Sequence, residues 1–304
     1  MSINDRYTEF VNISFELACK IVKEYDDNIL VKSLSAIRSG RANSNHIIDT
    51  SNGKLVLRVC RDSSTYNNEI IIDRSLDKSI RRPELLYHTV YDGTSYLLYQ
   101  YIESNLLGAY NEISNDIIEQ VATLCARIHN TPTEKLDEIK KLDLPPFKVW
   151  YDHFLDNQNT INRIGIDVQN RIKKIIKVSH NKIECIDSIH TTIHNDFSLD
   201  NLILDNNDRV FITDWEGITV NHMLTDMGQF FRLSKKFSEK QLKIFEHIYN
   251  KEANIALPEN WYELARLRDL VNLLQLISSE QDLPNYHEIL KTLIIETLDY
   301  FESL

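Results

Sequence analysis

The sequence has few of the residues that mark metal-stabilised or disulfide-stabilised proteins. Its four cysteines lie far apart in 304 residues and form no Cys-x-x-Cys pair. Structural zinc and a disulfide framework are therefore not expected, and such scattered thiols suit the reducing cytoplasm. The chain also lacks an apolar run approaching the roughly 18 residues of a membrane span. Its first residues do not resemble a signal peptide. We therefore expect a cytoplasmic protein without membrane insertion.

Positive charge is scarce as well. The chain has 34 lysines and arginines against 45 aspartates and glutamates, which gives a formal net charge of −11. Nucleic acid is a poor partner for so acidic a chain. A cationic small molecule suits it better, although the acidity can equally serve solubility. The remaining composition is that of an ordinary globular protein, and the length allows two lobes.

The first hundred residues are rich in strand patterns. Helical spacing of apolar residues predicts one helix from Asp5 to Tyr25, and a second short helix is predicted over 67–76. Strands are predicted at 45–49 and 54–59, on either side of a turn, and at 94–102. This part of the chain is therefore expected to form a small sheet with one or two helices.

Helical patterns dominate beyond Glu103. The predicted helices cover 115–128, 150–179, 235–250, 260–282 and 286–303. Two short apolar runs at 201–204 and 209–213 flank a polar turn and predict a hairpin. We therefore predict an α+β protein of two lobes, a β-rich N-terminal lobe over residues 1–103 and a larger helical C-terminal lobe over 104–304.

One segment of the helical part carries the residues of phosphoryl-transfer chemistry. It reads His194-Asn-Asp-Phe-Ser-Leu-Asp-Asn201 and is followed by an apolar strand that ends at Asp214. Transfer from a nucleotide needs a carboxylate that accepts the proton of the attacking hydroxyl, and oxygen ligands for Mg²⁺ at the phosphates. A loop can place Asp196 on the nucleophile and Asn201 on the metal, and the hairpin returns the chain to Asp214. We predict Asp196 as catalytic base and Asn201 and Asp214 as magnesium ligands.

The pattern His-x-Asp-x-x-x-x-Asn, followed by Ile212-Thr-Asp-Trp-Glu216, resembles the catalytic loop and metal aspartate of the aminoglycoside phosphotransferase and choline kinase group. The resemblance implies a protein-kinase-like fold and a small-molecule kinase that uses ATP (or GTP) and Mg²⁺. Protein kinases share the plan but usually carry Asp-Phe-Gly where this chain has Asp-Trp-Glu. Only eleven residues separate Asp214 from Asp226, which leaves little room for a long activation segment.

The resemblance also implies roles for residues outside the motif. The implied nucleotide-binding residues are Ser39 and Gly40 in the covering loop, Arg58 on the phosphates, Glu69 as its ion-pair partner, and Gln100 and Ile102 in the linker beside adenine. The covering loop has a single glycine, a departure that favours the pseudokinase alternative, because glycines let backbone N–H groups approach phosphate. In this group the equivalent of His194 braces the catalytic loop, and that of Asp226 accepts hydrogen bonds from the loop backbone.

The acceptor is less well determined by sequence. An aminoglycoside-like cationic antibiotic is the first candidate, because each ammonium can form charge-assisted hydrogen bonds with an acidic wall. Candidates for that wall are Glu216, favoured for its place beside Asp214, and Asp152, Asp156, Glu263, Asp269, Glu280 and Asp282. Choline would need an aromatic cage instead, for which Trp150, Tyr151, Trp261 and Tyr262 are available. Amino alcohols and sugars such as methylthioribose stay open, as does a pseudokinase that binds nucleotide without turnover. The sequence leaves the oligomeric state open.

Overall fold

The computed structural model describes residues 8–38, 43–139, 146–186 and 190–304. The strands are β1 (Val31–Ile37), β2 (Ser44–Thr50), β3 (Gly53–Val59), β4 (Leu85–Tyr91), β5 (Thr94–Gln100), β6 (Ser104–Leu106), β7 (His190–Ile193), β8 (Leu202–Asp205), β9 (Val210–Ile212) and β10 (Thr219–His222). The helices are α1 (Phe15–Tyr25), α2 (Ser63–Ser75), α3 (Asn115–His129), α4 (Phe147–Leu155), α5 (Gln158–Ile164), α6 (Ile166–Val178), α7 (His180–Ile186), α8 (Leu224–Phe230), α9 (Glu239–Glu252), α10 (Trp261–Ile277) and α11 (Pro284–Glu302).

The N-terminal part is an antiparallel sheet of strand order β1-β2-β3-β5-β4. Alternation along the strands gives the sheet two different faces. One face packs its apolar side chains, Ile48, Leu57 and Leu98 among them, against α1 in a separate small core. The cross-strand pair Asn45 and Arg58 lies on the opposite face. This second face is the one that meets the helical part.

Strands β2 and β3 form the hairpin that the sequence predicts. Thr50 pairs with Gly53 across the turn, and its hydroxyl donates to the Gly53 carbonyl oxygen at 2.6 Å. Gly53 has a φ of +108°, a conformation that favours glycine. Helix α1 is shorter than predicted and begins at Phe15, because the Ser14 side chain accepts the Leu17 N–H and caps the helix there.

The helical part surrounds two small sheets. One is β10-β7, and the other is β6-β8-β9, both antiparallel. Helix α8 packs on α10, α3 on α9, and α10 on α11. Phe230, Phe231, Phe245 and Trp261 stack together in the core between these helices. The loops after β7 and β9 contact each other through His194 and Thr213, and Asp214 after β9 contacts Arg58 of the N-terminal sheet.

The predicted mixed class, a sheet-rich N-terminal part followed by a helical part, is confirmed. Five of the described strands, β1, β4, β6, β7 and β10, were not predicted from the sequence. Within the described ranges, no helix is both long and apolar enough to cross a membrane.

Candidate active site

The loop between β7 and β8 carries Asp196 and fixes the position of its carboxylate. The Asn201 amide nitrogen donates to Asp196 Oδ2 at 2.7 Å and to the Asp196 carbonyl oxygen at 2.9 Å. The residue as a whole is exposed, yet partial burial of the carboxylate by the surrounding protein raises its pKa, against the opposing effect of His194. A carboxyl group with a raised pKa is a stronger proton acceptor when it is ionised.

The backbone of this loop is held by a buried carboxylate. Asp226, in the first turn of α8, accepts the N–H of His194 and the N–H of Asn195, each at 2.8 Å. Asn195 has a φ of +66°. That left-handed conformation is uncommon for residues other than glycine, and it needs surrounding contacts to maintain it. Asp226 supplies two of those contacts.

His194 connects the loop to the strand that precedes Asp214. Its side chain is fully buried, with Nε2 lying 3.1 Å from the Thr213 carbonyl oxygen and the ring packing edge-on against Trp215 at 4.7 Å. The Thr213 N–H in turn donates to the Asn201 carbonyl oxygen at 2.9 Å. The ring is thus enclosed by protein and connects two backbone segments, and its bracing role stays a prediction.

Asp214 follows β9 and forms an ion pair with an arginine of the N-terminal sheet. Its backbone is left-handed, with φ +62° and ψ +64°. Arg58 Nη1 lies 3.2 Å from Asp214 Oδ1 and 2.7 Å from Glu69 Oε1 in α2. Burial opposes the charge on Arg58, but the carboxylates of Asp214 and Glu69 raise its pKa overall. The guanidinium therefore remains charged and joins the two parts of the molecule.

Glu216 lies close to Asp214 and shares a hydrogen-bond donor with it. Asn43, which precedes β2, donates through its amide nitrogen to Glu216 Oε2 at 3.0 Å and to Asp214 Oδ1 at 3.4 Å. Burial raises the pKa of Glu216, and the neighbouring Asp214 charge adds to that rise. Two carboxylates so close together favour a bound cation, because a positive charge between them relieves their repulsion.

The donor set of Asn201 and Asp214 fits Mg²⁺. Asn201 directs its amide hydrogens to Asp196, so its side-chain oxygen is the atom that remains for a metal. Asp214 offers a carboxylate on the segment that adjoins Asn201, since the preceding Thr213 donates two hydrogen bonds to the Asn201 carbonyl oxygen. Oxygen-only ligands of this kind are those that Mg²⁺ prefers.

A second group with metal-compatible atoms, Cys125, His129 and Asp226, lies beneath the loop in the described part of the chain. Burial raises the pKa of the Cys125 thiol well above its usual range, so the thiolate that a metal needs is disfavoured. His129 Nδ1 lies 2.8 Å from the Tyr249 hydroxyl, and His129 Nε2 lies 3.2 Å from Asp226 Oδ2. These contacts make a hydrogen-bonded support for Asp226.

The predicted nucleotide-linker residues lie at the end of β5 and just after it. Gln100 is the last residue of β5, pairs with Leu55 and donates its N–H to the Glu84 carbonyl oxygen at 2.9 Å. Ile102 follows the strand, and its carbonyl oxygen accepts the Ser104 hydroxyl at 3.0 Å. Their contact with adenine stays a prediction. Ser39 and Gly40 lie outside the described residues.

Three of the seven acidic residues considered for a cation-binding wall already have cationic partners. Glu263 pairs with Lys182, Asp269 with Arg232 and Asp156 with Lys173, at 2.5, 2.6 and 3.1 Å respectively. Asp152, Glu280 and Asp282 are exposed. The wall available to a cationic acceptor is therefore smaller than the number of acidic residues indicates.

The aromatic cage considered for choline is not formed by all four candidates. Tyr151 is fully buried, and its hydroxyl donates to the Leu267 carbonyl oxygen at 2.5 Å. Trp261 is buried against Phe231 and Phe245. Both side chains belong to the core, because each lies on the inward face of its helix although it has a polar neighbour in sequence. Trp150 and Tyr262 are half-buried.

Two residues that contact the site were missed in the sequence. Asn43 has no local signal, because its partners Asp214 and Glu216 are distant in the chain. Gln229 accepts the Phe197 N–H at 2.8 Å and donates to the Asn195 carbonyl oxygen at 2.9 Å. A signal for Gln229 does exist, since it follows Asp226 by three residues and so lies on the same helix face.

Comparison with known proteins places the chain in a family. The model of the phosphotransferase enzyme family matches residues 33–267. The chain belongs to that family, and it is a small-molecule phosphotransferase, as the resemblance in the sequence implies. A search of curated proteins found no match to the sequence.

Solved structures share the fold at low sequence identity. The complex of spectinomycin phosphotransferase APH(9)-Ia with ADP and spectinomycin has a TM-score of 0.66 and 13% identity, and the match covers 97% of this chain and 100% of that one. A thermostable mutant of aminoglycoside phosphotransferase APH(4)-Ia, in a ternary complex with AMP-PNP and hygromycin B, has a TM-score of 0.64 and 16% identity over 93% and 97% of the two chains. The choline kinase LicA from Streptococcus pneumoniae has a TM-score of 0.61 and 18% identity over 92% and 98%.

Proposed function

We propose that the protein transfers the γ-phosphoryl group of ATP (or GTP) to a hydroxyl of a small molecule, with Asp196 as the base. The observation that carries this proposal is the arrangement of three side chains. Asp196 accepts a hydrogen bond from Asn201 at 2.7 Å, and Asn201 is joined through Thr213 to the segment that bears Asp214. This arrangement matches the needs of phosphoryl transfer, which are positioning and charge neutralisation. The ADP and AMP-PNP complexes of structurally similar proteins support a nucleotide donor.

In the proposed reaction, each residue of the site has its own role. Asp196 orients the acceptor hydroxyl and takes its proton while the hydroxyl oxygen forms a bond to the γ-phosphorus. The bond from the γ-phosphorus to the bridging oxygen breaks, and the nucleoside diphosphate leaves. Arg58 pairs with the α- and β-phosphates, and Glu69 keeps its guanidinium in place. Asn201 and Asp214 would hold Mg²⁺, which neutralises charge on the phosphates when it is bound.

For the acceptor we retain a cationic, aminoglycoside-like compound as the first candidate. The net charge of −11 and the two adjacent carboxylates of Asp214 and Glu216 favour a cation. The spectinomycin and hygromycin B complexes of proteins with this fold support the same class. The internal pairing of Glu263, Asp269 and Asp156 weakens it. An amino alcohol such as choline, which the LicA similarity supports, is the second candidate, and a methylthioribose-like sugar is the third.

We also propose that the reaction takes place in the cytoplasm, since the described cysteines are free thiols.

The experiment is an assay of ADP release from Mg·ATP by the purified protein. The acceptor panel contains aminoglycosides, spectinomycin, choline, ethanolamine and methylthioribose. Asp196→Asn is expected to lower kcat by about 10²- to 10⁴-fold, because it removes general-base catalysis. Asp200→Asn, an exposed aspartate of the same loop, is the matched control and should stay within about threefold of wild type, because a surface change away from a special contact has little effect.

The outcomes separate the two levels of the proposal. Near-wild-type turnover by Asp196→Asn, with an unchanged circular dichroism spectrum, would contradict the assignment of the base. ATP binding without stimulation by any compound of the panel would contradict the acceptor classes and leave a nucleotide-binding pseudokinase as the alternative. Stimulation by one class would identify the acceptor.

A further inference from the structure

The side chain of Gln229 encloses the backbone around Asp196. Its Oε1 accepts the N–H of Phe197, the residue after Asp196, at 2.8 Å. Its Nε2 donates to the carbonyl oxygen of Asn195, the residue before Asp196, at 2.9 Å. Gln229 is only 3% exposed, so these hydrogen bonds are protected from water. One amide group thus binds the peptide units on both sides of the proposed base.

The catalytic loop needs a hydrogen-bonding contact on the C-terminal side of Asp196. Asp226 holds the N–H groups of His194 and Asn195, which precede the base. After the left-handed turn at Asn195, the chain enters an irregular segment, where strand pairing cannot fix the backbone. Within the described part of the chain, the hydrogen bond recorded for the Phe197 N–H is the one to Gln229. Without it, a buried donor beside the base would have no partner, which is unfavourable.

We propose that Gln229 is a positioning residue for phosphoryl transfer, which holds both peptide groups that flank Asp196 and so directs its carboxylate at the acceptor hydroxyl. The inference rests on the proposed function, in which Asp196 is the base. It adds a residue to that site which acts through the backbone and touches neither the nucleotide nor the acceptor.

The two hydrogen bonds of Gln229 require a side-chain amide of this length. Glutamate could accept the Phe197 N–H, but it could not donate to the Asn195 carbonyl oxygen and would place two oxygens face to face. Methionine has a similar length and can form neither hydrogen bond. A shift of the base by about 1 Å is enough to cost two orders of magnitude in rate, because the reacting atoms must be aligned. The phosphate-binding residues are not attached to Gln229, so nucleotide affinity should not change.

The chain offers a matched control in Gln241. Gln241 accepts the Ser238 N–H through Oε1 at 2.8 Å and donates to the Ile113 carbonyl oxygen through Nε2 at 2.5 Å. It is 8% exposed and lies in α9, and its side chain hydrogen-bonds to Ser238 and Ile113, neither of which is a residue of the proposed site. Gln241→Met therefore removes the same two kinds of backbone hydrogen bond as Gln229→Met, in a place that should not affect the base.

The experiment compares Gln229→Met, Gln229→Glu and Gln241→Met in steady-state kinetics with the acceptor that stimulates the wild type. We expect Gln229→Met to lower kcat by about 10- to 100-fold, with KM for ATP within about threefold of wild type. Gln229→Glu should be impaired as well, because only one of the two hydrogen bonds is available to it. Gln241→Met should keep kcat within about twofold, even where its thermal midpoint falls as far as that of Gln229→Met.

A measurement independent of activity completes the test. Amide hydrogen exchange in a peptide covering 195–200 should be faster in Gln229→Met than in wild type, and unchanged in Gln241→Met. Wild-type kcat and wild-type exchange in Gln229→Met would overturn the positioning role, as would an equal loss of kcat in Gln241→Met. Loss of the proposed function is recognised separately, because Asp196→Asn would then remain active whatever the Gln229 variants do.

Discussion

Replacing Gly228 by alanine is expected to destabilise the protein and to disturb the catalytic loop from a distance. Gly228 lies in α8 where this helix crosses α10, between the two residues that hold the loop, Asp226 and Gln229. A Cβ added at Gly228 would lie 2.4 Å from the Ala265 carbonyl oxygen and 2.9 Å from Asp269 Cβ. The first of these atoms belongs to a helix backbone, so it cannot rotate away, and the two helices would have to separate.

The size of the effect follows from two opposing contributions. Overpacking of this kind costs about 3 kcal/mol at the upper end of its usual range. Alanine is favoured over glycine within a helix by about 1 kcal/mol. The expected net loss is therefore about 2 kcal/mol in the free energy of unfolding. Since α8 would shift with Asp226 and Gln229, kcat should fall as well.

The assay is urea unfolding followed by circular dichroism, with turnover measured on the same samples. Gly108→Ala is the control, because the added Cβ would meet Oδ1 of Asp200 at 2.7 Å, an exposed side chain that can rotate away. That variant should stay within about 0.5 kcal/mol of wild type, as surface substitutions usually do. If Gly228→Ala were as stable and as active as wild type, the close approach of α8 and α10 would not be needed to hold the loop.

Two further substitutions test the electrostatics of the fold. Glu69→Gln removes the buried charge that pairs with Arg58, and it should cost about 1–3 kcal/mol of stability and raise KM for ATP about tenfold, because Arg58 then keeps only its ion pair with Asp214. The control is Glu302→Gln, in an exposed pair with Arg171, which should leave the unfolding midpoint near wild type. Equal effects of the two changes would contradict the role of Glu69. Burial, helped by Arg268, lowers the pKa of His222 to about 3. The folded protein therefore keeps His222 neutral while the unfolded chain is protonated below about pH 6.5, so stability should fall as pH drops from about 6.5 towards 3. His222→Asn can still accept the Leu224 N–H and should lose about 2 kcal/mol less than wild type between pH 7 and pH 5, measured by urea unfolding; an unchanged pH dependence would contradict this assignment.

The parts of the fold that the sequence predicted are those with a strong local pattern. The β2–β3 hairpin and α3 have clear alternation, helical periodicity and capping residues, and they appear close to the predicted bounds. Two of the missed strands, β7 and β10, are too short to show such a pattern. Strand β7 is four residues long, and β10, which pairs with it, is equally short. Their pairing comes from tertiary contacts, which a periodicity over a few residues does not reveal.

The candidate site divides in the same way. Asp196, Asn201 and Asp214 lie within one short segment of sequence, and a motif of fixed spacing describes them. Asn43 reaches Asp214 across a sequence separation of 171 residues, so nothing near Asn43 in the sequence indicates the contact. The acceptor wall was harder still, because pairing between helices, such as Glu263 with Lys182, decides which acidic side chains are available.

The short helix α8 explains why the catalytic loop depends on residues outside its own motif. The loop has no regular backbone pairing around Asp196, so its shape is set by the side chains that hold it. Asp226 and Gln229 supply these contacts from one face of α8. The position of α8 is in turn set by α10, through the close approach at Gly228 and through the bidentate pair of Arg232 with Asp269. Changes in α10 at its contact with Gly228 should therefore alter turnover through the position of α8.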